Sequence, residues 1–354
     1  MTLNTNSSFY DLKAVSAMLP ESSQLEGKTL LWTGTGGFLG QWVLQFVKHL
    51  NKKILKIPCK LLAYDVVIPK NSELEEFIDS GIHFRSHDLT KKLWPVHEKI
   101  DYVVHMAGIA SPTHYKLRPL DTIDVSLEGT RSALEIARHH GAKFLFTSSS
   151  EVYQTPNVFP TPETYVGAIP PNTERSCYDI SKLMAENFVY IYSNNYGVDA
   201  CSVRIFNSFG VGIKESDSRI LPRIASASKS KNKIQIYKSN TLPTRTYCPA
   251  ANTIAGIFKA LIRGKTSETY NIGISNPEIS VTQLIELSND LCGIDVEFEY
   301  VQPSSVYIHE PLRRCPDITK AQTEIGYNPS VTLQKGLEDY FHWALQMYSG
   351  ISHR

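Results

Sequence analysis

The sequence lacks the marks of several protein classes. No stretch approaches the about 18 consecutive apolar residues of a membrane-spanning helix, so none is expected. The N-terminal segment MTLNTNSSFYDLKAVSAMLPESS has no basic start followed by an apolar core and does not read as a signal peptide. The six cysteines (Cys59, Cys177, Cys201, Cys248, Cys292, Cys315) contain no CxxC pair. That argues against a zinc centre and against a disulfide scaffold; no metal is expected, and free thiols fit a reducing cytoplasm. Charge of neither sign dominates: 36 Lys and Arg stand against 35 Asp and Glu, a net charge of +1. Without a basic excess, nucleic acid is not expected as a partner. Internal repeats and low-complexity tracts are missing too.

What is present is an ordinary globular composition, 42% hydrophobic and 20% charged over 354 residues, enough for one large α/β domain or two lobes. The first half alternates short apolar runs with amphipathic stretches. KTLLWTG (28–34), KLLAYD (60–65), DYVVHMAG (101–108) and KFLFTSS (143–149) predict strands buried on both faces, and VDACSVRIF (198–206) a further one. Phe38, Leu39, Trp42, Val43, Phe46, Val47 and Leu50 recur at helical spacing. A second long helix is expected over 176–196, stopped by Gly197. This alternation predicts a Rossmann-type, doubly wound parallel sheet. After about Asn207 the segments shorten, with helices over ILPRIASASKS, SVTQLIELSNDLCG and the tail, and a strand at KIQIYK. The expected organisation is an N-terminal extension (1–26) with one short helix from Phe9 to Leu19, a nucleotide-binding domain (27–206) and a smaller mixed α/β lobe for substrate (207–354).

TGTGGFLG places Gly34, Gly37 and Gly40 after the first strand, opening the first strong helix. Gly34 permits a tight turn, Gly37 lets a pyrophosphate reach the backbone, and Gly40 lets helix and strand pack closely. The helix N-terminus favours the phosphate charge. A dinucleotide is therefore expected here. Asp65 ends the second strand, where an acid accepts ribose hydroxyls and repels a 2′-phosphate, favouring NAD over NADP. Asp88, in HDL, falls where a third strand should end; it either bonds the adenine amino group or caps a loop.

SCYDISKLMAE places Tyr178 and Lys182 four residues apart, on one helix face. A neighbouring ammonium favours the phenolate and lowers its pKa, which suits a general base for an alcohol proton. Ser149 ends a predicted parallel strand, at the crevice where open α/β sheets bind ligands, and is expected to bond the same alcohol oxygen.

Through these motifs the sequence resembles the extended short-chain dehydrogenases/reductases that act on nucleotide sugars, from about Gly27 to Gln346. TGTGGFLG, HDL, HMAGIASP, TSSSEVY, SCYDISK, RIFNSFG and RRCPDITKAQTEIGYNP carry the resemblance. Within that family the sequence is most similar to the UDP-glucuronate decarboxylases, through ETYVGAIPPNTERSCYDISKLMAE and HMAGIASPTHY. The resemblance implies catalysis by Ser149, Ser150, Glu151, Tyr178 and Lys182. Ser150-Glu151 is the decarboxylase pair; 4,6-dehydratases carry Asp-Glu there, and most 4-epimerases lack the Glu. It also implies NAD contacts from Phe38, Leu39, Leu89 and Ala107, beside the three glycines, Asp65, Asp88, Tyr178 and Lys182. Asn207, Arg219, Arg245 and Arg313 are implied on the substrate side, for a nucleotide-diphosphate sugar.

The implied route is oxidation at sugar C4 and loss of CO2 from a C6 carboxylate, or of water from a C6 hydroxymethyl with Glu151 as C5 base, then return of the hydride. A 4,6-dehydratase or a 4-epimerase is the alternative; a non-catalytic NAD-binding module is another, which the intact Ser/Tyr/Lys set argues against. A homodimer, pairing the helices near 118–140 and 176–196, is implied as well. The sequence departs from the family pattern at PAAN (249–252), FGVGI (209–213) and VVIPKN (66–71), which bears on the base and the sugar rather than on the redox residues. His105 reads as a packing histidine, Cys177 as inert, and Arg313/Arg314 as a solvated pair near a pyrophosphate.

Overall fold

The computed structural model describes residues 7–68, 71–91, 96–237, 243–302 and 311–350. Among the described residues a 3₁₀ turn (Ser7–Phe9) precedes α1 (Leu12–Ala17), and the elements then alternate: β1 (Thr29–Thr33), α2 (Phe38–Lys53), β2 (Lys60–Asp65), α3 (Asn71–Ile78), β3 (Ile82–Ser86), β4 (Tyr102–His105), α4 (Pro112–Leu117), α5 (Pro119–His140), β5 (Lys143–Ser149), α6 (Ser176–Tyr196) and β6 (Ala200–Ile205). Shorter elements follow: β7 (Ser208–Phe209), α7 (Ile220–Ser230), β8 (Ile234–Tyr237), β9 (Thr244–Thr246), β10 (Cys248–Pro249), α8 (Ala250–Arg263), β11 (Thr269–Ile272), β12 (Glu278–Ser280), α9 (Val281–Cys292), β13 (Phe298–Val301), β14 (Arg313–Arg314), α10 (Thr319–Ile325) and α11 (Leu333–Met347).

Seven strands form the central sheet in the order β11-β6-β5-β4-β1-β2-β3, every pair parallel. The doubly wound sheet expected from the alternation is therefore present. Successive side chains on a strand face opposite sides. Leu30, Trp32 and Leu145 join a core with α2 and α8, while Leu31, Phe144 and Phe146 join one with α5 and α6. The strand order reverses between β1 and β4, which opens a crevice at the carboxyl ends of the strands.

Three small sheets, β10-β7, β12-β9-β14 and β13-β8, lie in the second half of the sequence. That half also supplies the edge strand β11 and the helix α8, whose buried residues fill the central core. The expected N-terminal helix is shorter than its apolar spacing suggested. Asp11 caps it by accepting from Ala14 N–H at 3.0 Å, and Pro20 opens a separate 3₁₀ turn. Val15, Leu19 and Leu25 are fully buried in the core that holds α2 and α8. Gly197 ends α6 at φ +69°, as expected. Residues 69–70 of VVIPKN lie outside the described residues.

Candidate active site

The glycine turn is built as its spacing requires. Gly34 has φ +78°, and a Cβ there would stand 2.6 Å from Ala107 N, so β1 meets the end of β4 backbone to backbone. A Cβ on Gly40 would lie 2.4 Å from Gly34 O. Gly37 differs: its backbone is extended and a Cβ would meet only Gly34 O, at 3.4 Å. The protein leaves space on that side of the turn. No side chain caps the start of α2, which leaves its first N–H groups for an anion. Phe38 and Leu39 pack from this first turn against the core. Asp65 accepts the Gly36 N–H at 2.8 Å on one carboxylate oxygen, tying the end of β2 to the turn. These groups fit a dinucleotide.

Asp88 takes the loop-cap arrangement, accepting from Thr90 N–H at 3.1 Å and Thr90 O–H at 2.8 Å. Its pKa is lowered first by the Thr90 hydroxyl bond. Ala107 is buried against Gly34 of the turn, and Leu89 is buried in the core with α5 and α6. His105 is a packing residue, as its apolar setting predicted. Thr33 Oγ1 accepts from the N–H groups of Met106 and Ala107 at 3.1 and 3.2 Å, which leaves its own proton for His105 Nδ1 at 2.9 Å. Burial pushes His105 down to about 3, so the ring is neutral.

β5 delivers Ser149 to the crevice, and the chain turns at once into a 3₁₀ turn over Ser150–Tyr153. Ser149 Oγ accepts the Glu151 N–H at 3.2 Å and stands near enough to the Tyr178 hydroxyl to favour its ionised form. Tyr178 is buried and stacked on Tyr115, centroids 5.4 Å apart. Lys182, one turn along α6, donates to Thr147 O at 2.8 Å and lies 5.9 Å from the Tyr178 ring centroid. The expected lowering of the phenol pKa by Lys182 is absent. Burial instead pushes Tyr178 up to about 12; the Ser149 bond opposes this, while Glu151 and Asp179 add to it. Burial also brings Lys182 down to about 8.

Glu151 is not a free carboxylate. It accepts from Arg175 and, at 3.0 Å, from Arg314. Burial opposes its ionisation, but Arg314, Arg175 and Arg245 together hold its pKa below the usual range. Arg314 also donates to the Ser150 carbonyl. β14 pairs with β9 so that Arg314 stands beside Arg245. Like charges side by side on a sheet repel, and the acid they share offsets this.

Arg313, the predicted substrate residue, points the other way. It makes a two-bond ion pair with Glu278, at 2.9 and 2.6 Å, over the Phe159 ring. Arg314 is the arginine turned to the catalytic group; strand alternation says that the two point opposite ways, and the register of β14 on β9 decides which one faces in. Arg219 is half-exposed, bonded twice to Asp217, with its charge felt at Tyr178. Asn207 donates to Thr246 O at 3.2 Å. Sequence reasoning also missed Arg175 and Asp179, which are four residues apart and flank Tyr178; that spacing was the available signal.

Residues 30–273 match the model of the "NAD dependent epimerase/dehydratase family". Among curated proteins, the chain is 34% identical to UDP-glucuronic acid decarboxylase 5 of Arabidopsis thaliana over 310 residues, 87% of this chain and 86% of the relative. It is 30% identical to UDP-glucuronic acid decarboxylase 1 of Xenopus tropicalis, over 91% of this chain and 73% of that one. Among solved structures, a dTDP-glucose 4,6-dehydratase of Streptomyces venezuelae with NAD bound superposes with a TM-score of 0.77 at 21% identity, covering 90% of this chain and 97% of that one. A UDP-N-acetylglucosamine 4-epimerase of Methanobrevibacter ruminantium superposes with a TM-score of 0.78 at 19% identity, covering 91% and 100%.

Proposed function

The chain belongs to the NAD-dependent epimerase/dehydratase family, and from that premise we propose that it decarboxylates UDP-glucuronate to UDP-xylose through a transient 4-ketone. The observation that carries this reading is the charge around Glu151. Arg175, Arg245 and Arg314 surround one ionised acid beside the Tyr178 hydroxyl, a setting that favours a substrate carrying its own carboxylate. A Glu151 held ionised by guanidinium groups is a weak base, and dehydration would need it to remove a carbon-bound proton.

Gly34, Gly37, Gly40 and Asp65 would hold the cofactor. NAD, when bound, takes the C4 hydride and returns it. Tyr178 would take the proton of the C4 hydroxyl, a role that needs positive charge from Lys182 and from the bound cofactor to offset the burial that otherwise keeps its phenol protonated, and Ser149 would hold the same oxygen. Lys182, anchored on Thr147 O, sets the charge beside the phenol. The 4-ketone makes the C6 carboxylate a β-keto acid, and the guanidiniums offset the charge of the enolate left when CO2 departs. A proton from water at C5 then replaces the lost carboxylate, after which the hydride returns to C4 and Tyr178 gives back the proton it took. Arg219, Asn207 and Arg245 would face the nucleotide-sugar phosphates and sugar.

For assembly we propose a homodimer through α5 and α6, because Ile180, Leu183, Met184 and Tyr190 form an exposed apolar stripe on α6. No described helix is long and apolar enough to cross a membrane. The six free thiols fit a reducing compartment, and the cytoplasm is the proposed location.

The test is incubation with UDP-glucuronate, then with UDP-, dTDP-, CDP- and GDP-hexoses. CO2 and a UDP-pentose from the first support the reading. An alkali-sensitive 4-keto-6-deoxy product from a hexose overturns it for dehydration, and C4 inversion for epimerisation; NAD binding with no conversion leaves only a binding module. Tyr178→Phe should keep NAD and lose at least about a hundredfold in turnover.

A further inference from the structure

Beneath Glu151 lies a second acid that the mechanism above does not use. Asp179 sits in the first turn of α6 and is fully buried. Its Oδ2 accepts from Arg175 Nε at 3.1 Å and from the Gln154 side-chain amide. Its Oδ1 has no hydrogen-bond partner among the described residues. The guanidinium that binds Asp179 through Nε also binds Glu151 through Nη2, so one planar cation spans both carboxyls.

Gln154 ties the same two places together from the other side. Its backbone holds φ +53° and ψ −112°, a conformation that non-glycine residues avoid. In that conformation its amide reaches Asp179, while its carbonyl accepts from Arg314 at 3.4 Å. The strained residue follows directly on the turn that carries Glu151. Such strain persists only where the surroundings over-determine it.

We propose that Asp179 is a positioning residue for the reaction: it seats Arg175 between the two acids and so fixes the orientation and charge environment of Glu151. This rests on the preceding reading that Glu151 faces the substrate. An ordinary first-turn acid would be solvated and would favour its helix by a few tenths of a kcal/mol. A buried acid with an unmet oxygen costs stability, which selects for a return elsewhere. The groups facing Asp179 are Arg175 at the N-cap of α6, Cys177 and Tyr178 from α6, Glu151 from the 3₁₀ turn after β5 and Gln154 that follows it, Arg314 from β14 and Tyr115 from α4. Burial raises its carboxyl to about 7, with the charge of Glu151 adding and Arg175 and Arg314 opposing. Near neutrality, then, Asp179 takes up a proton as pH falls, and Arg175 is left with Glu151 as its only charged partner.

The experiment uses the full chain loaded with NAD. Asp179→Asn keeps the shape and the acceptor oxygen but removes the charge. Expected is a fall in kcat of about ten- to a hundredfold, KM for UDP-glucuronate within about twofold, and a flatter kcat–pH profile around neutrality. In a Glu151→Gln background the same change should cost nothing further, because the two act as one unit. An equal loss in both backgrounds, or an unaltered pH profile, overturns the proposal.

Should Asp179→Asn not fold, Arg175→Lys, which keeps the charge but loses the planar bridge, should give the same kcat loss and pH change; wild-type behaviour would overturn the idea. Difference infrared spectroscopy of the NAD-loaded protein needs no turnover. The protonated-carboxyl band should vanish in Asp179→Asn and titrate at lower pH in Glu151→Gln, and a band indifferent to Glu151→Gln overturns the link. If the wild type converts no nucleotide sugar, the functional reading fails by itself, and the infrared result still decides whether Asp179 and Glu151 are coupled.

Discussion

Substituting alanine at each of the three glycines separates folding from cofactor binding. At Gly34 the left-handed φ of +78° costs an alanine about 1–2 kcal/mol. Its methyl would also stand 2.6 Å from Ala107 N, and relieving that overlap between β1 and β4 costs about 1–3 kcal/mol more. At Gly40 the helix-propensity gain of about 1 kcal/mol is set against a contact of 2.4 Å with Gly34 O, which only a backbone shift relieves. Gly37 is already extended at φ −77° and ψ 177°, and a methyl there meets one atom at 3.4 Å. The cost to the fold is about 1 kcal/mol or less, from the poorer helix cap. Thermal unfolding of the NAD-stripped protein should therefore place Gly37→Ala within about 4 °C of wild type and Gly34→Ala well below it. Equilibrium dialysis should show at least about a tenfold loss of NAD affinity in Gly37→Ala, because the methyl occupies the space next to the uncapped N-terminus of α2. Wild-type NAD affinity in a folded Gly37→Ala would refute the placement of the phosphates on this turn.

Two more outcomes follow from buried charges. Burial lowers Lys182 to about 8 from 10.5, so this ammonium discharges in the folded protein as pH rises through about 8. The pH profile of kcat/KM should fall above that pH, and Lys182→Arg, which stays charged, should remove the limb even if its rate is low. The linkage sign is the reverse of a favourable pair: the cost of burying this charge is fully present below about 8 and is relieved as pH rises towards 10.5. Lys259 and Glu21 form an ion pair at 2.7 Å with side chains 6% and 12% exposed, joining α8 to the N-terminal segment. Lys259→Met strands the acid and should cost about 3–5 kcal/mol in urea unfolding, with Glu21→Gln in the same chain restoring part of it. An unchanged midpoint would mean that Arg263, 4.0 Å from Glu21, takes over the pairing.

Much of the scaffold was legible because it is written in local periodicity. Apolar runs such as LLW in β1 and FLF in β5 declared strands buried on both faces. The Tyr178–Lys182 spacing placed two side chains on one helix face whatever else surrounded them. The glycine turn needed no tertiary information either, since the chain itself must bend between β1 and α2. The N-terminal residues were harder to read. Their apolar positions are few, and that they pack on α2 and α8 depends on surfaces made elsewhere in the chain.

The sequence by itself determined the alternation of strands and helices, the glycine turn and the pairing of Tyr178 with Lys182, because each follows from spacing within a few residues. The tertiary structure alone decided the surroundings of Glu151. Arg314 reaches it from 163 positions away and Arg175 from 24. Which of two adjacent arginines faces inward depends on the register of β14 on β9, a pairing that a two-residue strand cannot announce. Only folding brings one acid under three arginines and sets a second, buried acid beneath it, and that proximity fixes which carboxyl is ionised.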